Sequence, residues 1–330
     1  MIYTTFGIPA TADHYFSIAT KEELLDVLQH RIQPSTPVFI LGGGSNVIFS
    51  KHYQGTILHL ENKGIHFVQE LPETGEVLIE AEAGVVWTDF VQHCIAHGWH
   101  GTENLSAIPG TVGAAPVQNV GAYGMEAKDI IHSVHTIEMT TGRERIFSHE
   151  ECHFGYRDSI FKNELKGQYI VWSVTFHLSR NFTPNLHYKA IADALSSAGI
   201  ENPTPQQLSD TIAAVRWAKL PRPEETGSAG SFFKNPVVDS SLYEKLKENY
   251  PDIVAYPADG GYKLAAGWLI EHAGWKGRSM GRCGVYDKQA LVLVNKGGCT
   301  GQEVTELADA ITADVYKLFG VTLVKEAIIL

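Results

Sequence analysis

Residues 104–124 read NLSAIPGTVGAAPVQNVGAYG, and this glycine-rich stretch decides which fold the chain adopts. Four glycines and three alanines fall between residues 108 and 124, and such small side chains fill a hydrophobic core poorly. They instead allow the backbone to approach a large flat ligand closely, with amides that can donate to a diphosphate. The stretch therefore predicts a loop that binds a ligand of this kind.

A second glycine-rich loop lies upstream, where the short apolar run 37–41 enters the sequence LGGGSN at 41–46. The run predicts a buried strand that ends in the glycine loop. The loop differs from the dinucleotide fingerprint G-x-G-x-x-G because Val47 occupies the last glycine position. Its amides and its Ser and Asn side chains still suit a phosphate. Taken alone, the loop is equally compatible with a tight turn between two strands.

Length, composition and charge exclude several classes of protein. The chain has 330 residues, of which 44% are hydrophobic and 19% charged, so it is long enough for two or three folded domains and is not disordered. The net charge of −11 opposes general binding to nucleic acid or to an anionic membrane. Neither a membrane-spanning run nor a secretory leader is recognisable, so the cytoplasm is the expected location.

Cysteine and histidine spacing gives no metal-site signature. Cys94, Cys152, Cys283 and Cys299 are scattered through the chain and contain no C-x-x-C pair, so we expect free, buried thiols. His93 and His97 share one face of a predicted helix, but no third ligand follows at a suitable spacing. A solvated helix face is the favoured interpretation, and no metal is predicted.

Local patterns predict alternating helices and strands in the first half of the chain. Thr20 and Glu23 form a capping box that predicts a helix to about Arg31. Strict alternation predicts a strand at 76–82, and apolar residues at helical spacing predict a helix from Trp87. Further strands are expected at 131–139, 143–147 and 169–178. Because no long parallel-strand rhythm appears, the pattern favours an α+β fold.

The composition changes between residues 180 and 205, where prolines and asparagines predict loops around a short helix. Thr204 and Gln207 form a second capping box, and its helix is expected to reach Lys219 before Pro221 stops it. A domain boundary is placed there.

The last third of the chain is predicted to contain two further helices and a final strand. The helices are expected at 241–249 and 301–319, the second of which begins after Thr300 and ends at Gly320. Residues Val321 to Leu330 are expected to form a terminal strand.

The two glycine-rich stretches together resemble the FAD-binding domain of the UDP-N-acetylenolpyruvoylglucosamine reductase family. The similarity continues, in the family's order, through FGYRDSIFK at 154–162, KLP at 219–221, GSAGSFFKNP at 227–236, YKLAAGWLIEHAGWKG at 262–277 and QALVLVN at 289–295. It therefore covers nearly the whole chain. The resemblance implies an FAD-dependent enzyme that uses NADPH to reduce the enolpyruvyl group of UDP-N-acetylglucosamine enolpyruvate to UDP-N-acetylmuramate, in peptidoglycan synthesis.

The resemblance also implies three catalytic residues. Arg157 would hold the substrate carboxylate, Ser231 would donate the proton, and Glu326 would assist by hydrogen bonding or proton shuttling. This fits the chemistry, because hydride addition builds negative charge that a cation and an acid must stabilise. The residues alone favour other interpretations. Arg157 would form a surface or structural salt bridge with Asp158, Ser231 would be a loop serine bonded to its own backbone, and Glu326 would be a pairing or edge residue of a terminal strand.

Substrate-binding residues follow from the same resemblance. Tyr188 is similar to the tyrosine of the mobile loop that closes over the nucleotide diphosphate in one of the two family types. Four more residues supply cationic or polar groups for the substrate: Lys219, Asn235, Lys263 and Gln289. For Lys219 the alternative is a helix-terminal lysine that complements the dipole. The chain departs from the family pattern at Ala327 and Ile328, because many relatives have an apolar residue and then an arginine there.

The implied fold is α+β, with an FAD-binding domain of the vanillyl-alcohol-oxidase/PCMH type in two subdomains and a C-terminal α+β substrate-binding domain. The expected boundaries are 1–65 with the strand 321–330, 66–218 with the Tyr188 loop, and 219–320. The residues expected to bind FAD are Gly42, Gly43, Gly44, Ser45, Asn46, Pro109, Gly110, Thr111, Gly113, Ala114, Asn119 and Gly121. Neither loop contains a cysteine or histidine, so the FAD is expected to be non-covalent, and the protein is expected to be a monomer.

Two alternatives remain open at this point. One is a different oxidoreductase with the same flavin-binding fold. The other is a module that binds a flavin or a nucleotide sugar without turnover. The joint presence of Arg157, Ser231 and Glu326 favours an enzyme, because a binding module needs neither an acid nor a proton donor.

Overall fold

Short sequence signals mark the starts of several helices in this chain. We describe its structure from a computed structural model that covers residues 3–33 and 35–330. The helices are α1 Lys21–His30, α2 Trp87–Ala96, α3 Lys189–Ser197, α4 Pro205–Lys219, α5 Ser240–Asn249, α6 Ala266–His272 and α7 Gly301–Phe319. The strands are β1 Ala12–Ile18, β2 Val38–Leu41, β3 Val47–Ile48, β4 Tyr53–Leu60, β5 Ile65–Leu71, β6 Glu76–Glu82, β7 Gly121–Ala122, β8 Met125–Glu126, β9 Ile131–Glu138, β10 Glu144–Ser148, β11 Tyr169–Ser179, β12 Ser228–Ser231, β13 Val237–Val238, β14 Ala255–Ala258, β15 Gly261–Leu264, β16 Ser279–Met280, β17 Cys283–Val285, β18 Val292–Asn295 and β19 Ile328–Ile329.

The predicted capping boxes begin α1, α4 and α7. At α4 the backbone N–H of Gln207 donates to Oγ1 of Thr204 at 3.2 Å, and the backbone N–H of Thr204 donates to Oε1 of Gln207 at 2.9 Å. This exchange satisfies two of the N–H groups that a helix start otherwise leaves unpaired. Gly320 ends α7 in the left-handed conformation, with φ of +68°. The predicted starts of these three helices and the predicted end of α4 are confirmed.

The strands predicted in the first half are also confirmed. Four of them, β6, β9, β10 and β11, join β5, which was not predicted, in a five-stranded antiparallel sheet with the order β10-β9-β11-β6-β5. A three-stranded sheet, β1-β4-β2, contains the parallel pair β2 and β4. Antiparallel pairing thus predominates in this half, with few parallel crossovers, which agrees with the α+β class.

The chain divides into two compact units, each built from separate segments. Unit 1 contains residues 1–11, 44–53 and 217–330, and unit 2 contains residues 12–43 and 54–216. The division between Arg216 and Trp217 lies close to the predicted boundary at 218–219. The finer division into three domains stays a prediction.

Each unit has its own hydrophobic core. In unit 2, Trp87, Phe90 and Cys94 of α2 are buried against Phe176 and other residues of the five-stranded sheet. In unit 1, α7 buries Val304, Leu307, Ile311 and Val315 together with residues of the four-stranded sheet β12-β18-β17-β16. Within residues 3–33 and 35–330, no helix has both the length and the apolar character that a membrane crossing requires.

The predicted terminal strand from Val321 to Leu330 is wrong for most of its length. Only Ile328–Ile329 forms a strand, paired in parallel with β3. Upstream, the backbone N–H of Glu326 donates instead to the carbonyl of Phe232 at 2.8 Å. Because the segment changes pairing partner within a few residues, it cannot remain one continuous strand.

The expectation of four free thiols is wrong for one pair, because Cys283 and Cys299 form a disulfide. The bond joins β17 to the residue two positions before α7, and both cysteines are buried. Cys94 and Cys152 are free and buried, as expected. Burial raises the pKa of the Cys152 thiol to about 12 and raises the pKa of Cys94 as well. These two thiols are therefore unreactive at neutral pH.

Candidate functional site

Two glycine-rich segments of unit 2 approach each other backbone to backbone. A Cβ atom placed on Gly42 would lie 2.5 Å from Oγ1 of Thr111, and one on Gly43 would lie 3.2 Å from the Cα of Gly110. Gly113 is equally restricted, because a Cβ there would lie 2.6 Å from the Cβ of Ala83. Glycine at these positions thus permits close backbone packing, and a larger side chain would force the neighbouring segments apart.

Gly44 begins the part of the first loop that belongs to unit 1. Its φ of +65° favours glycine, and a Cβ would lie 2.9 Å from the carbonyl oxygen of Tyr3. Two residues later, Nδ2 of Asn46 donates to the carbonyl of Glu326 at 3.2 Å. The loop is therefore attached to the C-terminal segment on which a catalytic glutamate is predicted.

Arg157 lies in unit 2 with its backbone in the left-handed region, at φ of +54°. Its guanidinium donates to the carbonyl of Gly121 at 2.6 Å and to that of Asn119 at 3.3 Å, and it lies 3.8 Å from a carboxylate oxygen of Glu126. The carboxylate of Asp158, the partner considered from sequence alone, accepts two hydrogen bonds from Asn163. Arg157 thus lies directly against the second glycine-rich loop.

Asn119 organises that loop from within. It is fully buried, with φ of +45°. Its Nδ2 donates to Glu126 and to the carbonyl of Gly155, while its Oδ1 accepts from the backbone N–H of Lys128. Because the protein itself uses both ends of this amide, Asn119 shapes the predicted FAD loop rather than offering its side chain to a ligand.

Sequence reasoning missed two residues that lie near Arg157. Arg216 lies in α4, and burial lowers the pKa of its guanidinium. Tyr123 opposes this shift, and the positive charge of Arg157 lowers the pKa further. Burial raises the pKa of Tyr123, with Arg216 opposing this shift and Tyr188 adding to it. Their positions in the sequence were the signals that could have identified them. Tyr123 lies inside the glycine-rich stretch, and Arg216 lies one helical turn before Lys219. The two arginines give this part of unit 2 an excess of positive charge suited to an anion.

Tyr188 is the N-cap residue of α3, and the residue is 42% exposed. Its ring makes a T-shaped contact with the ring of Tyr123, at a centroid distance of 5.2 Å. The preceding loop is fixed by a hydrogen bond from Nδ2 of Asn104 to the carbonyl of Asn185, at 2.9 Å. Unit 2 therefore brings together Arg157, Tyr188 and the residues that sequence analysis missed.

Ser231 ends β12 in unit 1, at an irregularity in the pairing with β18. Gly230 precedes it with φ of +66°, and the buried rings of Phe232 and Phe233 follow it. Bulges of this kind redirect a side chain, and here the side chain of Ser231 is exposed while its neighbours are locked in the core. Glu326 lies beside this segment, because its backbone N–H donates to the carbonyl of Phe232.

The remaining predicted residues in unit 1 lie in three places. Oδ1 of Asn235 accepts from the backbone N–H of Ala266 at 3.0 Å, at the start of α6, and Gln289 lies next to Gly267 of the same helix. Lys263, in β15, pairs with Val237 of β13. Lys219 is the last residue of α4 and is exposed. This position also fits the alternative role of a lysine that complements the helix dipole.

Two groups of side chains could offer metal ligands, a histidine pair on α2 and a cluster around Cys283. The rings of His93 and His97 stack at 4.0 Å, and Nδ1 of His97 bonds the carbonyl of His93. Cys283, Cys299 and Glu303 lie together, but the two sulfurs are bonded to each other and Glu303 accepts from Arg282 and Thr300. Nδ1 of His97 and the ligand atoms of the cysteine cluster are thus already bonded within the protein.

The chain is similar to known proteins over its whole length. Residues 12–148 match the family model described as FAD binding domain, and residues 222–330 match the one described as UDP-N-acetylenolpyruvoylglucosamine reductase, C-terminal domain. A UDP-N-acetylenolpyruvoylglucosamine reductase of Burkholderia ambifaria is 46% identical over 99% of this chain and 94% of its own. One from Pseudomonas syringae pv. tomato is 45% identical over 98% and 95%.

A solved structure shares the fold. The reductase of the same name from Thermus caldophilus superposes with a TM-score of 0.66 over 99% of this chain and 95% of its own, at 24% identity.

Proposed function

Because the chain belongs to the UDP-N-acetylenolpyruvoylglucosamine reductase family, we infer that it is an FAD-dependent oxidoreductase of peptidoglycan synthesis. It reduces the enolpyruvyl group of UDP-N-acetylglucosamine enolpyruvate to give UDP-N-acetylmuramate, and NADPH is its electron donor. The observation that carries this inference is the 46% identity to a reductase of that name across 99% of the chain, which leaves room for no other domain within these residues.

The residues of both glycine-rich loops fit FAD. Gly42 and Gly43 let the two loops pack together with no side chain between them, and we propose that backbone amides of these loops hold the diphosphate of FAD. FAD, when bound, supplies a group that accepts hydride from NADPH and gives it to the substrate alkene. Asn46 and Asn119 support the loops through their hydrogen bonds within the protein. The other predicted residues offer backbone amides, small side chains or hydroxyl groups.

In the proposed mechanism Arg157 binds the carboxylate of the substrate's enolpyruvyl group. Its guanidinium is always charged and is oriented by the carbonyls of Gly121 and Asn119, so little rearrangement is needed when charge develops. Arg216 adds positive charge nearby, which favours the same anionic substrate.

Ser231 donates the proton to the carbon adjacent to the one that receives hydride. A serine hydroxyl is a weak acid, so it needs a polarising neighbour or a proton path. Glu326 is suited to that role, because its backbone is hydrogen-bonded to the residue that follows Ser231.

The polar residues proposed for nucleotide-sugar binding are five in number. In unit 2, Tyr188 donates to the diphosphate. In unit 1, Lys219 and Lys263 supply positive charge, and Asn235 and Gln289 supply amide groups. The Asn235 oxygen is held by α6, which orients its Nδ2 group. We further propose that the protein acts as a monomer in the cytoplasm.

An anaerobic experiment in two stages tests the proposal. The purified protein should be yellow, should lose its flavin absorbance on addition of NADPH, and should regain it on addition of UDP-N-acetylglucosamine enolpyruvate. Binding of flavin without bleaching by NADPH would indicate a module without turnover. Bleaching without recovery would indicate a different oxidoreductase. Protein that stays colourless after reconstitution with FAD would contradict the proposal altogether.

A further inference from the structure

Tyr123 occupies a backbone conformation that its side chain disfavours. Strands β7 and β8 form a hairpin, and its two turn residues, Tyr123 and Gly124, have φ of +51° and +81°. Turns with positive φ at both central positions are ordinarily made by Asn-Gly or Asp-Gly, because bulky side chains disfavour the left-handed region. Such a conformation persists only where surrounding contacts enforce it. The ring of Tyr123 must therefore make contacts that offset the local cost.

Those contacts lie on the small apolar cluster beneath the Tyr188 loop. Tyr123 packs against a cluster whose fully buried members come from α3 and α4: Ile191, Leu195, Leu208 and Ile212. Phe182 and Leu186, from the loop before Tyr188, pack against the same cluster. The ring of Tyr123 thus reaches from the glycine-rich loop to the segment that carries Tyr188.

The contact between the two tyrosine rings is specific in geometry. Their planes meet at 81° with centroids 5.2 Å apart, the edge-to-face arrangement that aromatic pairs favour. Tyr188 begins α3 without a capping hydrogen bond from its side chain. The orientation of the Tyr188 ring therefore depends on packing, and the ring of Tyr123 provides an aromatic contact for it.

The same hairpin also contacts Arg157. The carbonyl of Gly121, two residues before Tyr123, accepts the 2.6 Å hydrogen bond from Nη2 of Arg157. One two-stranded hairpin thus connects the cation proposed for the substrate carboxylate with the tyrosine proposed for its diphosphate.

We propose that Tyr123 is a positioning residue that holds the ring of Tyr188 edge-on, so that the Tyr188 hydroxyl is preorganised for the diphosphate of the nucleotide substrate. Fixing a binding group in advance raises affinity by reducing the ordering needed on binding. This inference rests on the diphosphate-binding role proposed for Tyr188.

Tyr123→Asn provides the sharpest test, because asparagine suits the turn while removing the ring. In full-length holoenzyme, this variant should raise the KM for UDP-N-acetylglucosamine enolpyruvate roughly 2- to 12-fold, as the loss of one aromatic pair implies. Flavin content and the rate of flavin reduction by NADPH should stay unchanged. Tyr123→Phe keeps the ring and should behave like the wild type.

A double-mutant cycle separates positioning from a merely structural role. Tyr188→Leu should raise KM, and the Tyr123→Asn/Tyr188→Leu double variant should show no further rise, because the first residue acts through the second. Tyr169→Leu is the matched control, since Tyr169 makes a T-shaped contact with Phe147 at 5.2 Å elsewhere in unit 2. It should lower the thermal midpoint and leave KM unchanged.

The outcomes distinguish this inference from the proposed function. An unchanged KM in Tyr188→Leu would refute the diphosphate role of Tyr188 and, with it, the role of Tyr123. A raised KM in Tyr188→Leu with an unchanged KM in Tyr123→Asn, or effects that multiply in the double variant, would refute only the role of Tyr123. A raised KM in Tyr123→Phe would assign the effect to the hydroxyl and would also overturn the inference. If Tyr123→Asn does not fold, Tyr123→Gly, which also suits a positive φ, replaces it in the same cycle.

Discussion

Arg157 donates a 2.6 Å hydrogen bond from Nη2 to the backbone carbonyl of Gly121. The bond attaches a predicted catalytic cation to the loop predicted to bind FAD, 36 residues away in sequence. Because Arg157 also has a left-handed backbone, both its main chain and its side chain are tied to this local arrangement. Substitution there is expected to affect orientation as well as charge.

Replacing Arg157 with lysine keeps the charge and removes the planar fork that binds a carboxylate. We expect the rate at which substrate reoxidises the flavin to fall roughly 10²–10³-fold, as for the loss of one donor that stabilises developing charge. Reduction by NADPH should change little. Stopped-flow measurement of each half-reaction checks this, with Arg145→Lys, an exposed arginine paired with Glu151, as the control. Equal slowing of both half-reactions would contradict the carboxylate role.

Ser231→Ala should separate the two half-reactions. Flavin reduction by NADPH needs no proton from this residue, so its rate should stay nearly the same. Reduction of the enolpyruvyl substrate should slow by ~10²–10⁴-fold, the usual value of general acid help. Ser240→Ala, at the start of α5, serves as a control. Equal losses in the two stages would mean that Ser231 shapes the site without donating a proton.

Tyr188→Phe tests the hydrogen bond to the diphosphate while retaining the ring contact with Tyr123. Binding of the UDP-sugar should weaken by about 1–2 kcal/mol, because a hydrogen bond to a charged group is lost. Calorimetric titration measures this change, and the wild-type segment 181–190 should become more resistant to protease when substrate is added. Unchanged affinity without protection would identify Tyr188 as a surface tyrosine.

The disulfide predicts a specific thiol count. In denatured, unreduced protein two of the four cysteines should react with a thiol reagent, and all four should react after treatment with a dithiol reductant. The cross-link closes a loop of 16 residues, so the chain-entropy model gives roughly 3 kcal/mol of stability that reduction removes. The thermal midpoint should therefore fall on reduction. In a Cys283→Ser/Cys299→Ser variant the reductant should have no such effect, and four reactive thiols before reduction would exclude the bond.

Glu303 predicts a dependence of stability on acid pH. Hydrogen bonds from Arg282 and Thr300 lower its pKa to about 2, from an ordinary value of 4.5. Because the folded pKa is lowered, the stabilisation is fully present above about pH 4.5 and is lost as the pH falls toward 2. The thermal midpoint of Glu303→Gln should be below that of the wild type at pH 6, and the two should converge in acid. Glu306→Gln, on the same helix, is the control; a difference that persists at pH 2 would show that the charge is not responsible.

Local sequence determined several of the helices and strands, because their signals act over a few residues. Thr20, Thr204 and Thr300 each bond a residue three positions later, so the helix start is encoded where it occurs. The motifs at 41–46 and 104–124 indicated the family by their resemblance to it, and close backbone packing at Gly42 and Gly43 is a physical reason for glycine at those positions.

Tertiary structure alone decided the long-range pairings. Cys283 and Cys299 showed no motif, and only the turn after β18 brings them together. In the C-terminal segment the backbone of Glu326 pairs with Phe232, whereas that of Ile328 pairs with Val47. No local pattern indicates this change of partner. Tyr123 and Arg216 join Arg157 and Tyr188 only when α4 and the hairpin pack around a shared cluster. Contacts of this kind depend on which distant surfaces meet, and the residues near each position in sequence carry no information about that choice.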